Sequence, residues 1–315
     1  MPGYIERALQ RFAHPPTTRP QHAPHAWQKP IYGQTTQYTQ APDTSAPLDD
    51  ADTKRIQEIL GTLLYYSQAV DSTMLVAIGT IATQQTRATQ DTMKAVTQLL
   101  NYCAAHPDAC IRYVASDMVL HIESDASYLT APKARSRAGG YFYLSNQTTD
   151  ATKPREATDT PPKHNGAIAV HCSIMREVVA SAAEAEIAAV FYNGKEACPI
   201  QVTLAELGHP QPPTPVTTDN STATGIVNDT VKQKLSKAID MRYYWIRDRV
   251  RQGQFHIYWK KGILNRADYF TKHHPASHHQ NIRSSYLHST NDSRKNYFEC
   301  LQDSEISVAT GLPTS

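Results

Sequence analysis

The sequence predicts a mixed α/β fold: a mixed five-stranded sheet with flanking helices, preceded by a small helical segment. Three observations predict it. Apolar runs of strand length recur at Met118-Val119-Leu120-His121-Ile122, Gly140-Tyr141-Phe142-Tyr143-Leu144 and 167–174. A helical pattern follows over about 177–193, with Val179, Ala183, Ile187 and Val190 on one stripe. Strand-like runs at 214–218 and 255–259 then alternate with helical stretches at 221–251 and 266–271. The order β-β-β-α-β-α-β-α calls for an antiparallel meander extended into a mixed sheet, with helices on its faces.

Ahead of the sheet, residues 1–50 open on a short amphipathic pattern, Tyr4 to Phe12, and continue through Pro15, Pro16, Pro20, Pro24, Pro30, Pro42 and Pro47. Proline at that density excludes long helices and leaves irregular backbone. Residues 51–110 read as helical. Asp52 is placed to cap a first helix carrying Ile56, Ile59, Leu60, Leu63 and Leu64. Asp71 precedes a second pattern (Met74, Leu75, Ile78, Ile81), and Met93, Val96, Leu99 and Leu100 mark a third that ends near His106-Pro107. The sheet domain is expected over 111–275. The helix after the third strand is expected to stop at Asn193-Gly194. Residues 276–315 are polar and are expected to form a flexible tail.

The chain has 315 residues, a net charge of +2 and 40% hydrophobic residues, enough for one large domain and a smaller one. Its five cysteines (103, 110, 172, 198, 300) include no Cys-x-x-Cys, which argues against a disulfide framework or a zinc site and for a reducing, intracellular setting. No secretory signal is expected. The longest apolar run, Met74 to Gly79, is far too short to span a bilayer. The near-neutral total hides a basic window. Residues 231–272 hold eleven Lys/Arg against three Asp, a net +8. Such a window suits a phosphate backbone, or alternatively is a solvated helix face.

Four acids stand out by position. Asp125 closes the first strand, Asp219 closes the run Val216-Thr217-Thr218, Glu186 lies in the helix, and Asp268 follows Asn265-Arg266-Ala267. Acids gathered from strand ends and helices can hold two divalent cations, and carboxylate oxygens suit magnesium and manganese. Each has an ordinary alternative: a turn for Asp125, a helix cap for Asp219, a surface ion pair with Arg266 or Lys272 for Asp268. Glu184 and Glu186 are two residues apart, hence about 200° apart around the helix, and flank its apolar stripe on opposite sides. Helix geometry alone does not choose between them. Asp49-Asp50 does not follow an apolar strand, and His273, His274, His278 and His279 are read as an exposed tract without a metal framework.

A family resemblance rests on several blocks. They are Gly61-Thr62-Leu63-Leu64-Tyr65-Tyr66, Leu99-Leu100-Asn101-Tyr102, Ser124-Asp125-Ala126 and Ser181-Ala182-Ala183-Glu184-Ala185-Glu186. Further blocks are Thr218-Asp219-Asn220-Ser221-Thr222-Ala223, Ile239-Asp240-Met241-Arg242-Tyr243-Tyr244-Trp245-Ile246-Arg247 and Asn265-Arg266-Ala267-Asp268-Tyr269-Phe270-Thr271-Lys272. Over about 55–275 the chain resembles the carboxyl-terminal part of copia-type (Ty1/copia) retrotransposon Pol polyproteins, the end of reverse transcriptase plus its ribonuclease H domain. Residues 1–50 are similar in style to the reverse transcriptase thumb.

The resemblance implies a ribonuclease H-like fold over 111–275 and hydrolysis of RNA in RNA–DNA hybrids with two Mg2+ ions, Mn2+ being an acceptable substitute. It implies Asp125, Glu186, Asp219 and Asp268 as catalytic metal ligands and, because its glutamate precedes an apolar and then small residues, selects Glu186 over Glu184. Lys232, Lys234, Lys237, Arg242, Arg247 and Arg249 are the expected nucleic-acid contacts. The polymerase fingers and palm have no counterpart, so no polymerase activity is expected. The implied partners are an RNA–DNA hybrid and the remaining reverse transcriptase part of the polyprotein. The implied location is cytoplasmic, in a virus-like particle, or nuclear, with no membrane. Two competing readings are a non-catalytic remnant that binds nucleic acid or a polymerase partner, and an integrase-type transferase. The second places its glutamate last, whereas here it comes second.

Overall fold

The structure is a computed structural model that describes residues 1–17, 19–27, 43–146, 163–228 and 240–288. It divides into two compact units, Met1–Arg112 with His273–Ser315, and Tyr113–Lys272.

The first unit is helical. Its elements are α1 (Tyr4–Arg11), α2 (Asp50–Ala69), a 3-10 turn (Ser72–Met74), α3 (Leu75–Ala82), α4 (Gln90–Ala105) and α8 (Ala276–Arg283). Helix α2 starts earlier than expected. Asp49, not Asp52, is the cap, because its carboxylate accepts the Asp52 N–H at 2.7 Å. The apolar stripes read from sequence are buried: Ile56, Ile59, Leu60 and Leu63 from α2, Ile78 and Ile81 from α3, Val96, Leu99 and Leu100 from α4.

Two expectations about the end of this unit are corrected. Residues 276–288 are not loose tail, and the histidine tract is not exposed. Helix α8 buries Ile282 and His279, and Tyr286 and Leu287 are buried behind it. His288 exchanges both backbone hydrogen bonds with Cys110. A polar network explains why a histidine-rich helix can be buried. Tyr102 Oη receives the Arg283 Nε–H at 2.9 Å and lies 3.1 Å from both His279 Nε2 and Thr73 Oγ1. Arg283 also reaches Asp71 Oδ2 at 3.3 Å. Burial, ahead of the Arg283 charge, holds His279 well below the usual imidazole range, so it stays neutral inside.

The second unit contains β1 (Val119–Ala131), β2 (Arg135–Ser145), β3 (Ala167–Ile174), α5 (Ala182–Glu206), β4 (Thr214–Thr218), α6 (Ser221–Val227), α7 (Asp240–Arg251) and β5 (Phe255–Trp259). The strand order is β3-β2-β1-β4-β5. Pairs β1/β2 and β2/β3 are antiparallel, whereas β1/β4 and β4/β5 are parallel. This is the mixed five-stranded arrangement of a ribonuclease H-like fold. The core lies between the sheet residues Leu120, Ile122, Phe142, Val216, Phe255 and Ile257 and the helices, which contribute Ile187, Val190, Ala223, Val227 and Ile246 among others.

Helix α5 does not stop at Asn193-Gly194; it is 25 residues long and continues through Pro199 to Glu206. Both residues serve packing instead of termination. A Cβ on Gly194 would meet Ile246 Cδ1 at 2.9 Å, so glycine lets α7 approach. Asn193 is fully buried and donates its amide to Ser124 Oγ (2.8 Å) and the Gly139 carbonyl (2.9 Å). The partner strand is correspondingly bare. A Cβ on Gly140 would lie 2.2 Å from Asn193 Oδ1, and one on Gly139 would lie 2.7 Å from the Ala267 carbonyl oxygen. The segment expected as a terminal helix is a 3-10 helix, Arg266–Phe270, whose first free N–H groups are served by the Asn265 side chain.

Candidate metal centre

Strand alternation puts Asp125 on the face of β1 opposite the core residues Leu120 and Ile122. Parallel pairing of β1 with β4 brings the end of β4, and Asp219 after it, alongside. Asn220, not Asp219, caps α6 by accepting the Ala223 N–H at 2.9 Å. That leaves the Asp219 carboxylate outside the capping role.

The two helix glutamates take different roles, both set at the start of α5. Ser181 accepts the Glu184 N–H at 3.2 Å, and Glu184 in turn accepts the Ala180 N–H. Ser181 thus caps the helix, while Glu184 reaches back past the cap to the residue before it. Glu186 instead receives the Ala126 N–H at 3.1 Å and the Thr218 hydroxyl at 3.0 Å, which ties it to β1 and β4 at once.

The result is a convergence of three acids. Asp125, Glu186 and Asp219 each offer a carboxylate oxygen, and these oxygens lie within 4.8 Å of one another. Asp125 and Glu186 are buried and Asp219 is half-buried. Asp268 is outside this group. It pairs with Lys272 at 2.5 Å and is partly exposed. Its charge nonetheless contributes to raising both Asp125 and Asp219.

Burial first, then the Asp268 charge, pushes Asp125 up to about 7, against the opposing effect of the Thr271 hydroxyl, which donates to Asp125 Oδ2 at 2.7 Å. Burial, then Asp125 and Asp219, pushes Glu186 well above the usual carboxylate range. Asp219 is raised by burial and by Asp268. Acids held this close repel one another, and a divalent cation relieves that repulsion. The donor set is all oxygen and anionic, which fits a hard cation such as Mg2+ or Mn2+.

The sequence reading missed the supports beneath the acids. Glu123, two residues before Asp125, is buried and accepts from Lys260 Nζ at 2.8 Å, the Arg266 N–H at 2.6 Å and Arg266 Nη1 at 2.9 Å. Burial alone would raise Glu123, but Lys260 and Arg266 outweigh it and hold the carboxyl down at about 2. Asn265 donates to the Ser124 carbonyl at 2.8 Å, and Ser127 donates to the Thr271 carbonyl at 2.6 Å. The Trp259 indole donates to the Asp219 carbonyl at 2.9 Å. A glutamate on the same strand face as Asp125, opposite a basic loop, was the available signal.

Of the expected nucleic-acid contacts, Lys232, Lys234 and Lys237 lie outside the described residues. Arg242 pairs with Glu177 at 3.1 Å and lies over the Phe191 ring. Arg247 donates to Tyr243 Oη at 2.9 Å, and Arg249 lies over the Trp245 ring. These three are engaged within the protein, on and beside aromatic faces of α5 and α7.

No family model matches the chain. Over 269 residues, 85% of the chain, it is 24% identical to the retrovirus-related Pol polyprotein from transposon TNT 1-94 of Nicotiana tabacum. The chain resembles copia-type retrotransposon Pol. It spans 18% of the length of that polyprotein. Among solved structures, it is similar to LC11-RNase H1 isolated from compost, at 12% identity and a TM-score of 0.35, covering 49% of this chain and 93% of that one. It is also similar to the protease-reverse transcriptase of prototype foamy virus, at 19% identity and a TM-score of 0.24, covering 47% of this chain and 18% of that one. No helix among the described residues is long and apolar enough to cross a membrane.

Proposed function

We propose that this chain is a ribonuclease H of copia-type retrotransposon Pol that hydrolyses the RNA strand of RNA–DNA hybrids. The observation that carries the reading is the convergence of Asp125 from the middle of β1, Glu186 from α5 and Asp219 after the end of β4 in a ribonuclease H-like sheet. Residues 111–275 are the nuclease domain, 51–110 a helical connection and 1–50 a thumb-like remnant.

Asp125, Glu186 and Asp219, with Asp268 as the fourth acid, would hold the divalent cations. Mg2+ or Mn2+ bound there would supply the Lewis-acid charge stabilisation that in-line displacement at a phosphodiester needs. Thr271 and the Ala126 N–H hold Asp125 and Glu186 in place for this duty. Lys232, Lys234 and Lys237 meet the phosphate backbone, joined by Arg242, Arg247 and Arg249 on exchanging their contacts within the protein for phosphate, and hybrid choice rests on shape and the 2′-hydroxyl. The remaining reverse transcriptase of the polyprotein is the protein partner, and the site of action is inside the cell, in the cytoplasm or the nucleus.

The test is Mg2+-dependent cleavage of an end-labelled RNA–DNA hybrid by the full chain and by Asp125→Asn. The expected result is cleavage by the first and none by the second. A folded wild-type chain that leaves the hybrid intact, with or without Mn2+, overturns the reading.

A further inference from the structure

We propose that Glu123 is a positioning residue that sets Asp268 against Asp125, an inference resting on the metal-centre reading above. Residues 123 and 125 lie two apart on β1 and therefore share a strand face. From that face Glu123, 1% exposed, takes three hydrogen bonds from one segment: Lys260 Nζ, the Arg266 backbone N–H and Arg266 Nη1. These contacts fall at both ends of the loop that leaves β5 and enters the 3-10 helix bearing Asp268.

Glu123 has companions of lesser reach. Asn265 donates to the Ser124 carbonyl, and Thr271 bonds both the Asp125 carboxylate and the Asp268 carbonyl. Successive residues of one strand, 123, 124 and 125, thus each hold the segment that carries the fourth acid. Only Glu123 does so with a buried charge against two cations. A buried ion pair is a poor source of net stability, since desolvation offsets the attraction, but it specifies one arrangement over others. The Asp268 carboxylate is partly exposed and, among the described residues, pairs with its neighbour Lys272, so its place relative to Asp125 depends on how the loop is held.

The experiment is calorimetric titration of Mn2+ into the full chain, alone and with an uncleavable hybrid whose RNA strand is 2′-fluoro-substituted. The variants are Glu123→Gln, Asp268→Asn and the double variant, with Asp125→Asn as reference. Glu123→Gln is expected to weaken Mn2+ binding by roughly 10- to 100-fold, the usual effect of removing a group that orients ligands. In the Asp268→Asn background the same substitution is expected to have almost no further effect, because Glu123 acts through Asp268. A merely structural loss would be additive. Additivity, or wild-type Mn2+ affinity in Glu123→Gln, overturns the proposal. If Glu123→Gln does not fold, Lys260→Met, which keeps the Arg266 contacts, decides in the same backgrounds. It is expected to weaken Mn2+ several-fold only when Asp268 is present, and no such dependence overturns the proposal. Wild-type binding that Asp125→Asn leaves unchanged refutes the metal centre itself, a failure distinct from that of Glu123.

Discussion

Thr271 donates its hydroxyl to Asp125 Oδ2 over 2.7 Å, linking the segment after Asp268 to the acid at the centre of the site. That bond favours the charged form of a carboxylate which burial and neighbouring acids otherwise neutralise. A hydrogen bond to a charged group contributes about 1.5–3 kcal/mol. Thr271→Val, which keeps the shape and removes the donor, is therefore expected to weaken Mn2+ binding at neutral pH by roughly 10- to 100-fold. Calorimetry at pH 7 checks it, and the loss should shrink at higher pH, as Asp125 ionises in the variant as well.

The raised acids also make the metal-free protein's stability depend on pH, with an uncommon sign. Asp125 titrates near 7 when folded against 3.8 for its ordinary value, so the native state binds more protons between those limits. The stabilisation is fully present below about pH 4 and is lost as pH rises through 7. His279 and His106, both depressed chiefly by burial, act in the opposite direction, costing stability as pH falls below 6.5. The contribution of Asp125 is isolated by difference. From pH 5 to pH 8 without metal, wild type should lose more Tm than Asp125→Asn, and millimolar Mg2+ should restore wild type at pH 8 only. Equal pH slopes in the two chains would refute it.

How much of this was legible in sequence depends on which kind of pattern carried each feature. The succession of strands along the chain followed from short apolar runs, because Leu120, Ile122, Phe142, Val216 and Ile257 are local signals that do not depend on neighbours. The stop expected at Asn193-Gly194 failed because those two residues are chosen by tertiary contacts, Asn193 with Ser124 and Gly194 with Ile246. The fate of 276–288 failed similarly. A polar stretch reads as tail unless one knows that Asp71 and Tyr102, some 180 to 210 positions earlier, supply partners for His279 and Arg283. Glu123 was overlooked because its partners lie more than 130 residues away, and a lone strand glutamate carries no local mark of burial.

The Asp71–Arg283 pair gives the sharpest stability test in the helical unit. Arg283 is largely buried and reaches Asp71 and Tyr102 together. Removing one partner of a buried pair leaves the other charge uncompensated, at a cost of about 3–5 kcal/mol. Arg283→Met should therefore lower the denaturation midpoint strongly, and Asp71→Asn combined with it should recover part of the loss. Urea melts followed by far-UV circular dichroism check both. Full additivity of the two substitutions would show that the pair does not act as a unit.

Glu184 and Glu186 separate capping from chemistry. Both are buried, in the first turn and a half of one helix, yet Glu184 closes the backbone at Ala180 while Glu186 faces Asp125 and Asp219. Glu184→Ala removes the acceptor of the Ala180 N–H and should cost about 1–3 kcal/mol of stability, with hybrid cleavage retained once the chain is folded. Glu186→Gln removes a charge that its surroundings disfavour, so the metal-free protein should be as stable as wild type or more so. Its cleavage rate should fall by at least about 100-fold, since even groups that merely orient ligands cost up to that much. The first variant thus lowers stability without the rate, and the second the rate without the stability. Paired melts and single-turnover cleavage rates on the same preparations check this. Cleavage lost in Glu184→Ala but kept in Glu186→Gln would reverse the assignment.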